Sequence, residues 1–515
     1  MASFSTQLQT ILGRALDEGT FDRRVLEGLT VRAPRTPTFY LLPKVHKDAV
    51  NPPGRPIVSG IDGLCDPVCK FIDFYLKPLV ETLPSYIRDT TDVLSRVDGV
   101  LVDPGVLLVT TDVQTLYTCI DHEHGLAAVR LFLGASDLGG PMCDLVLELL
   151  GFVLTHNFFV FKDIFYLQKR GTAMGAACAP SYANLFLGAW ERSIFGDGGV
   201  QAADHVLCWV RYIDDILFLW GGTTQQLEEF MSRLNDNQLN IKLTYQFDHQ
   251  RIDFLDVTFE IDEARQIQTD MFRKSTSVNA LLHASSAHNY STIGAVPVGQ
   301  FLRMRRICST DNRFPAQAED LRGRFEARGY SRRSIRRGFE RARKTPRRDL
   351  MYPKNNKRDT PTEGDRVRFI TTYNHEWPKM REILKKHWPV LLTEPALASV
   401  LGDFPSMTAR RSPNLANHLV RSHYVPPPTN PFGTRGPMLS SFKCGHCVAC
   451  ANITRTSTFT SSDGLKTYDI RQHITCGTSN VIYYATCGCS LIYVGLTSRE
   501  FRTRVREHVR DIRNA

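Results

Sequence analysis

Apolar residues recur along the first 270 positions with two periods, and the switches between those periods lay out the elements. Residues 1–30 and the stretch Leu64 to Leu83 carry apolar positions at helical spacing. Leu107-Leu108-Val109-Thr110-Thr111-Asp112 is a short apolar run ending in a carboxylate, the pattern of a buried strand. His122 to Phe132 and Pro141 to His156 predict helices, and Phe158 to Leu167 predicts a hairpin. Gly171 to Pro180 is a loop of small residues, followed by a helix over Ser181 to Glu191. Val206 to Trp220 predicts a second hairpin and Leu227 to Leu239 a helix. Ile241 to Phe247 and Phe254 to Ile261 predict two more strands. This order suits an α+β sheet domain with helices on one face.

At the tip of the second hairpin stand two adjacent acids, Asp214 and Asp215, between the apolar runs Cys208-Trp209-Val210 and Ile216-Leu217-Phe218-Leu219-Trp220. Asp is a common turn residue, so an exposed acidic turn is one reading. The other is a metal site, because two like charges side by side need neutralising if they are held out of water. Two Mg²⁺ ions about 3.5–4 Å apart, clamped by carboxylates, are the apparatus of nucleotidyl transfer.

A third acid is available. Asp112 ends its strand about 100 residues earlier, which allows a neighbouring position in the same sheet; a helix N-cap is its plainer role. Tyr117 lies five residues on. Its ring either packs in the core or lies under the sugar of a nucleotide and crowds a 2′-hydroxyl. In the loop Gly171-Thr172-Ala173-Met174-Gly175 small residues let backbone approach a ligand such as a templating base pair closely, or form a tightly packed helix-start loop. Lys44 and Arg55, in an extended region rich in Pro and Gly, are loop cations or the holders of a triphosphate, one as a point charge and one as a fork.

Length and charge sharpen this. A chain of 515 residues exceeds one ordinary core, and two to four domains are expected. The net charge of +10 favours a polyanionic partner, most simply nucleic acid. Residues 299–348 concentrate it, with Arg322, Arg324, Arg328, Arg332, Arg333, Arg336, Arg337, Arg341 and Arg343 interleaved with Phe325, Tyr330, Ile335 and Phe339. Phosphate-backbone binding and a solvated charged helix are the two readings. No apolar run approaches the ~18–20 residues that span a bilayer, and no secretory leader pattern opens the chain.

Six of the thirteen cysteines follow residue 440. Cys444, Cys447 and Cys450 stand at intervals of three, with His473 and Cys476 beyond. This is zinc-like spacing. The expected ligands are Cys444, Cys447, Cys450 and Cys476, with His473 as the alternate, and four protein ligands imply structural rather than catalytic Zn²⁺. Unliganded thiols are the competing reading. Val481-Ile482-Tyr483-Tyr484 and Leu491-Ile492-Tyr493-Val494-Gly495 predict paired strands, closed by Cys487-Gly488-Cys489-Ser490. A helix carrying Arg504 and His508 on one face follows. These groups suit water activation and phosphate binding, or simply a hairpin beside a basic surface helix.

The order of these parts resembles the reverse transcriptases of Penelope-like retroelements. Carrying the resemblance are Leu41-Leu42-Pro43-Lys44-Val45-His46-Lys47, Arg55-Pro56-Ile57-Val58-Ser59, Thr111-Asp112-Val113-Gln114-Thr115-Leu116-Tyr117 and Gly171-Thr172-Ala173-Met174-Gly175. Arg211-Tyr212-Ile213-Asp214-Asp215, Phe254-Leu255-Asp256-Val257 and Phe369-Ile370-Thr371-Thr372-Tyr373-Asn374 continue it. The resemblance implies a right-hand polymerase with fingers, palm and thumb, and metal binding by Asp112, Asp214 and Asp215. It makes Tyr117 the sugar gate and the arginine-rich stretch the thumb on a template–primer duplex. The partners implied are an RNA template, a DNA primer or target, and dNTPs. Val481-Ile482-Tyr483 and Tyr493-Val494-Gly495 resemble the GIY-YIG nuclease family, with Arg504 and His508 on its helix. That family's metal-binding glutamate has no counterpart up to Ala515, so a partial module is expected. The expected division is fingers and palm at 1–272, a basic thumb at 273–350, a linker at 351–440, a zinc-binding segment at 441–480 and the nuclease-like segment at 481–515. The implied activity is RNA-directed DNA polymerisation by a nuclear protein acting on chromosomal DNA, with the cytoplasm as the other compartment. A catalytically silent nucleic-acid-binding relic is the alternative.

Overall fold

The computed structural model describes residues 2–31, 34–45, 48, 50–162, 164–196, 199–200, 203–274, 276–352, 367–401, 404–412, 440–460, 467–470, 472–486 and 492–514. The chain divides into two units, Met1–His423 and Tyr424–Ala515. His46 and Lys47, residues 353–366, 402–403 and 413–439 of the expected linker, and the Cys487 to Ser490 turn lie outside the described residues.

In the first unit, β1 (Thr38–Pro43) and β2 (Gly54–Ser59) form an antiparallel hairpin with Leu42 opposite Arg55 and Phe39 opposite Val58. β4 (Phe158–Phe161) and β5 (Ile164–Leu167) extend it to a four-stranded sheet of order β2-β1-β4-β5. Phe39, Phe159 and Tyr166 stack across it, with ring centroids 5.3 and 5.5 Å apart. The sheet is tied inward where the Val58 N–H donates to the Met174 carbonyl (3.0 Å).

The central sheet is antiparallel, of order β6-β7-β3-β8, from β3 (Leu107–Val113), β6 (Val206–Tyr212), β7 (Asp215–Trp220) and β8 (Leu243–Asp248). Strand alternation assigns its two faces. Leu107, Val109, Ile216, Phe218 and Trp220 join the larger core with helices Asp66–Val80, His122–Gly134, Gly140–Thr155, Ala179–Phe195 and Thr224–Asn235. Leu108, Val210, Leu217 and Leu219 join a second core with helix Thr90–Val97 and a three-stranded sheet. Helices therefore cover one face as expected, and a second sheet covers most of the other.

Two sequence expectations shift within this domain. The Thr224–Asn235 helix stops short of Leu239 because the Asn237 carboxamide accepts from the Leu239 and Ile241 N–H groups and turns the chain into β8. Phe254 to Ile261 is not one strand. β9 (Arg251–Phe254) and β10 (Val257–Ile261) pair antiparallel, Phe254 opposite Val257, around a two-residue turn with Leu255 at φ 55°; β11 (Ile267–Met271) completes that sheet. Without Gly or Asn at the turn, the hairpin gave no local signal.

Helices Tyr290–Ile307, Arg313–Glu326 and Arg332–Lys344 pack as a bundle. Phe325, Tyr330 and Ile335 are buried in its core with Phe301, Met304 and Phe314. The aromatics among the arginines therefore hold the bundle together rather than face a ligand, while Arg332, Arg333, Arg336, Arg337, Arg341 and Arg343 are exposed. Within the interval expected as a linker, Arg368–Thr372 and Ser406–Arg410 pair in parallel with helices Trp377–Leu391 and Pro395–Leu401 between them. That interval thus contains a βαβ-type unit, whose parallel pairing across some 40 residues left no short-range mark.

The second unit is built from short antiparallel and parallel pairs. Ser440–Ser441 pairs with His473–Ile474, Thr458–Thr460 with Thr467–Asp469, and Val481–Thr486 with Ile492–Thr497; helix Phe501–Asn514 follows.

Candidate nucleotidyl-transfer site and C-terminal tyrosine cluster

The β6–β7 hairpin closes with Tyr212 opposite Asp215, leaving Ile213 and Asp214 as the two turn residues. Two-residue hairpins need a positive φ to match the strand twist. Ile213 supplies it at 56°, an unfavourable conformation for a β-branched residue. Asp112 lies directly opposite Asp215 on β3, which sets their Cβ atoms about 4.5–5.5 Å apart. The Val113 N–H donates to the Asp214 carbonyl (3.0 Å), so β3 also fixes the turn. Three carboxylates thus meet at one end of the sheet, and directly opposed like charges are unfavourable unless something balances them.

The electrostatics agree. Burial, together with the charges of Asp214 and Asp112, pushes Asp215 up to about 6, while Lys274 pulls it back. Asp214 is raised chiefly by burial and then by Asp112, with Arg55 and Lys44 acting in the opposite direction. Burial and the Asp214 charge push Tyr117 up to about 12, and Arg55 opposes them. Tyr117, Arg55 and Lys44 therefore stand within electrostatic reach of the turn acids. Lys44 continues β1 on the face of Leu42, whose cross-strand partner is Arg55, so the two cations share that face.

The small-residue loop is packed tightly on the chain's own backbone, one of its two expected readings. A Cβ on Gly171, at φ 70°, would sit 2.3 Å from the Tyr117 carbonyl, and one on Gly175, at φ 130°, would sit 2.5 Å from the Val58 carbonyl. The Thr172 N–H donates to the Tyr117 carbonyl (2.7 Å). The glycines admit the chain's own backbone, locking the Tyr117 turn to β2; Met174 contributes its carbonyl to Val58.

Sequence reasoning missed several residues around the site. Lys274 was one. With Arg273, Arg303 and Arg324 it lines a groove of about 980 Å³ between the β9–β10 turn and the helical bundle. Arg303 also pairs with Asp256 in that turn, which in turn accepts from Thr90. Beneath the acidic turn, Arg211 is fully buried and bound to Glu191, Asn184 and Ser85. A cation inside an apolar strand was the available signal, since such a residue needs partners.

In the second unit the four expected thiols converge. Cys450 Sγ lies 3.5 Å from Cys444 Sγ, 3.6 Å from Cys447 Sγ and 3.4 Å from Cys476 Sγ. All four sulfurs fall within 4.8 Å of one another, and among the described residues this is the one such set of three or more ligand-type side chains; the acidic triad is more open. Tetrahedral Zn–S bonds of ~2.3 Å put sulfurs about 3.8 Å apart, so the quartet fits zinc. Burial opposes it, yet hydrogen bonds from the Cys447 backbone and the Cys476 and Cys444 thiols draw Cys450 down to about 6, toward the thiolate a metal takes. His473 is not in the quartet; its ring stacks on Phe442 at 4.5 Å. The carbonyls of Cys476 and Thr478 accept from the first N–H groups of the last helix, those of Arg502 (2.7 Å) and Phe501 (2.9 Å).

The nuclease-like residues also come together. Tyr483 pairs with Gly495 across the strands, close enough that a Cβ there would meet the Tyr483 hydroxyl at 2.4 Å. That hydroxyl lies 2.6 Å from His508 Nε2 and accepts from Arg504 Nε at 3.0 Å. The Tyr493 ring packs against Tyr483 and His508, with centroids 6.1 and 5.4 Å away. Glu507, unmarked by sequence reasoning, holds Arg504 (3.0 Å) and Arg499 (2.8 Å).

Comparison with known proteins adds a partial frame. Residues 280–340 match the animal helix-turn-helix domain, which is the helical bundle described above. No curated protein matches the chain. Among solved structures, the chain is similar to telomerase from Candida albicans in complex with a fragment of telomeric RNA, at 12% identity over 62% of this chain and 62% of that one, with a TM-score of 0.42. It is also similar to the Sicinivirus 3Dpol RNA-dependent RNA polymerase, at 13% identity over 63% and 72% and a TM-score of 0.40. The RNA-dependent RNA polymerase of a human picorbirnavirus matches at 11% over 62% and 70%, with a TM-score of 0.38. The chain spans 56% of the truncated Candida tropicalis telomerase and 62% of the Candida albicans one. At this level the likeness is one of outline, and the chemistry rests on the residues themselves. Among the described residues no helix is long and apolar enough to cross a membrane.

Proposed function

We propose that the first unit is an RNA-directed DNA polymerase that extends a primer 3′-hydroxyl on an RNA template, of the kind carried by Penelope-like retroelements. The observation that carries this reading is Asp112 directly opposite Asp215, with Asp214 in the adjoining turn. Three convergent carboxylates, two of them (Asp214 and Asp215) with raised proton affinity, are a donor set for Mg²⁺. Bound there, Mg²⁺ would lower the pKa of the attacking hydroxyl and neutralise charge on the departing pyrophosphate. Asp112, Asp214 and Asp215 hold the metal positions. Lys44 and Arg55 bind the triphosphate, Arg55 by its fork. Tyr117 lies under the sugar and excludes a 2′-hydroxyl. The exposed arginines of the Arg332–Lys344 helix hold duplex phosphates without reading sequence. Positioning and charge neutralisation supply most of the rate. Protein acting on chromosomal DNA in this way works in the nucleus.

The second unit supports a separate proposal, a zinc-stabilised, incomplete GIY-YIG-like module whose tyrosine cluster belongs to machinery for cutting DNA phosphodiester bonds. Arg504 donates to the Tyr483 oxygen, so the phenol proton faces His508. His508 takes that proton, and the Tyr483 oxygen, steadied by Arg504, draws one from water. The hydroxide so formed attacks the phosphorus, the bond to the 3′-oxygen breaks, and that oxygen takes the proton held by His508, leaving a 5′-phosphate and the 3′-hydroxyl that the polymerase extends.

Primer extension on an RNA template with Mg²⁺, comparing dNTPs with rNTPs, tests the principal reading. Extension with dNTPs is expected, and none from the Asp214→Asn, Asp215→Asn variant. Equal extension by parent and variant would dismiss the site. Binding without extension by the parent would favour a silent nucleic-acid-binding relic.

A further inference from the structure

Arg211 stands one residue before the Tyr212 to Asp215 segment, yet none of it reaches solvent. Its side chain points away from the carboxylates and into the helical layer. There it meets Glu191 and Asn184 of the Ala179–Phe195 helix, and Ser85. The Nε–H donates to Glu191 Oε1 (2.8 Å) and Nη2 donates to Glu191 Oε2 (3.0 Å), a two-pronged ion pair. Nη2 also approaches the Ser85 hydroxyl (3.4 Å) and the Asn184 carbonyl (3.3 Å). Nη1 donates to Asn184 Oδ1 (2.7 Å) and to the Ile213 carbonyl (3.3 Å). Glu191 in turn accepts from the Ser85 hydroxyl (2.6 Å) and from the Trp209 indole (2.8 Å). Every N–H of the guanidinium is engaged, and no polar atom of the network is left over.

Stability does not require such a network. Well-packed apolar residues in place of a buried ion pair are commonly neutral or stabilising. What apolar side chains cannot supply is the bond to the Ile213 carbonyl. That carbonyl belongs to the peptide entering Asp214, and the peptide leaving Asp214 is held by the Val113 N–H. Ile213 is kept at a positive φ, a state that persists only where the surroundings over-determine it. Arg211 is the group that grips this turn from the core side, and Glu191 fixes the plane of its fork.

We infer that Arg211, oriented by Glu191, is a positioning residue that holds the Ile213–Asp214 turn so that the Asp214 carboxylate meets a divalent cation. This rests on the metal-binding reading of the acidic triad. Groups that orient ligands from behind typically set metal affinity by about 10–100-fold.

The test is Mn²⁺ binding by the full chain, read by electron paramagnetic resonance, which needs no turnover. The variants are Arg211→Met with Glu191→Met, which removes both charges together, and Arg211→Lys, which keeps the charge balance but not the fork. Asp214→Asn is the control. Thermal melting establishes that each variant is folded. The double variant is expected to bind Mn²⁺ about tenfold or more weakly, and Arg211→Lys by an intermediate factor. In primer extension the half-saturating Mg²⁺ concentration rises in parallel while the dNTP KM stays within about twofold. Parent-like Mn²⁺ affinity in the folded variants, with Asp214→Asn weakened, overturns the role of Arg211. If Asp214→Asn also binds Mn²⁺ like the parent, it is the triad reading that fails.

Discussion

Replacing Asp215 by Asn should make the metal-free protein more stable while abolishing its chemistry. In the fold, burial and the neighbouring acids raise Asp215 from its ordinary 3.8 to about 6. A rise of about two pH units corresponds to about 3 kcal/mol if fully felt, at 1.36 kcal/mol per unit. Asp215 is half-buried, and water screens part of the effect, which leaves about 1–2 kcal/mol. The direction follows from linkage. The folded state holds this proton more tightly than the unfolded chain. Below about pH 4 the carboxyl is neutral in both states and its contribution to stability is fully present. As pH climbs through 6 that contribution is lost. Asn mimics the neutral acid at every pH. In EDTA, parent and Asp215→Asn should therefore melt together near pH 4, diverge between 4 and 6, and stay apart at pH 7, with the variant melting about 2 °C higher. Added Mg²⁺ should close the gap by stabilising the parent alone. A variant that melts below the parent in EDTA at pH 7, or a gap that ignores pH, would refute the claim that the Asp215 carboxylate is held, charged, where burial and the neighbouring acids disfavour it.

Other expectations concern separate parts. Tyr117→Ala should raise rNTP relative to dNTP incorporation by roughly tenfold or more in single-nucleotide assays; an unchanged ratio would remove Tyr117 from the sugar site. Cys447→Ser with Cys450→Ser should lower zinc, measured by mass spectrometry, from one ion per chain to a small fraction of that, and loosen the fold around the quartet. Unchanged zinc would send the search to other ligands. Tyr483→Phe should slow nicking of duplex DNA by about 10²–10⁴-fold with primer extension intact. Nicking at the parent rate would show that the hydroxyl shared by His508 and Arg504 has no catalytic part.

The elements that position the acids were legible because each is encoded locally. The strand at Leu107–Val113 and the Val206 to Trp220 hairpin each carry an apolar run ending in carboxylate. The four cysteines were legible because metal ligands on a tight loop repeat at short intervals. Features made by distant partners were not. Arg211 stands out as a cation inside an apolar strand, but its partners Glu191 and Asn184 come from another element and could not be named. Phe325 and Tyr330 are interleaved with arginines in the sequence, and only the bundle shows that they turn inward. The Leu255-Asp256 turn has no Gly or Asn for the positive φ at Leu255, and Thr90 and Arg303 hold Asp256 there. Gly171 and Gly175 announced a close approach correctly but not its object, which is the backbone of Tyr117 and Val58.

That last contact bears on how the protein can move. β2 carries Arg55, and three residues along the same strand Val58 is fastened to Met174 and pressed against Gly175. The other end of that loop is fastened to Tyr117, through Thr172. A shift of the β2 backbone that carries Arg55 would therefore not be local. On the polymerase reading proposed above, such a movement would carry the loop and, through it, Tyr117, so binding of phosphates at Arg55 would be coupled to the position of that ring.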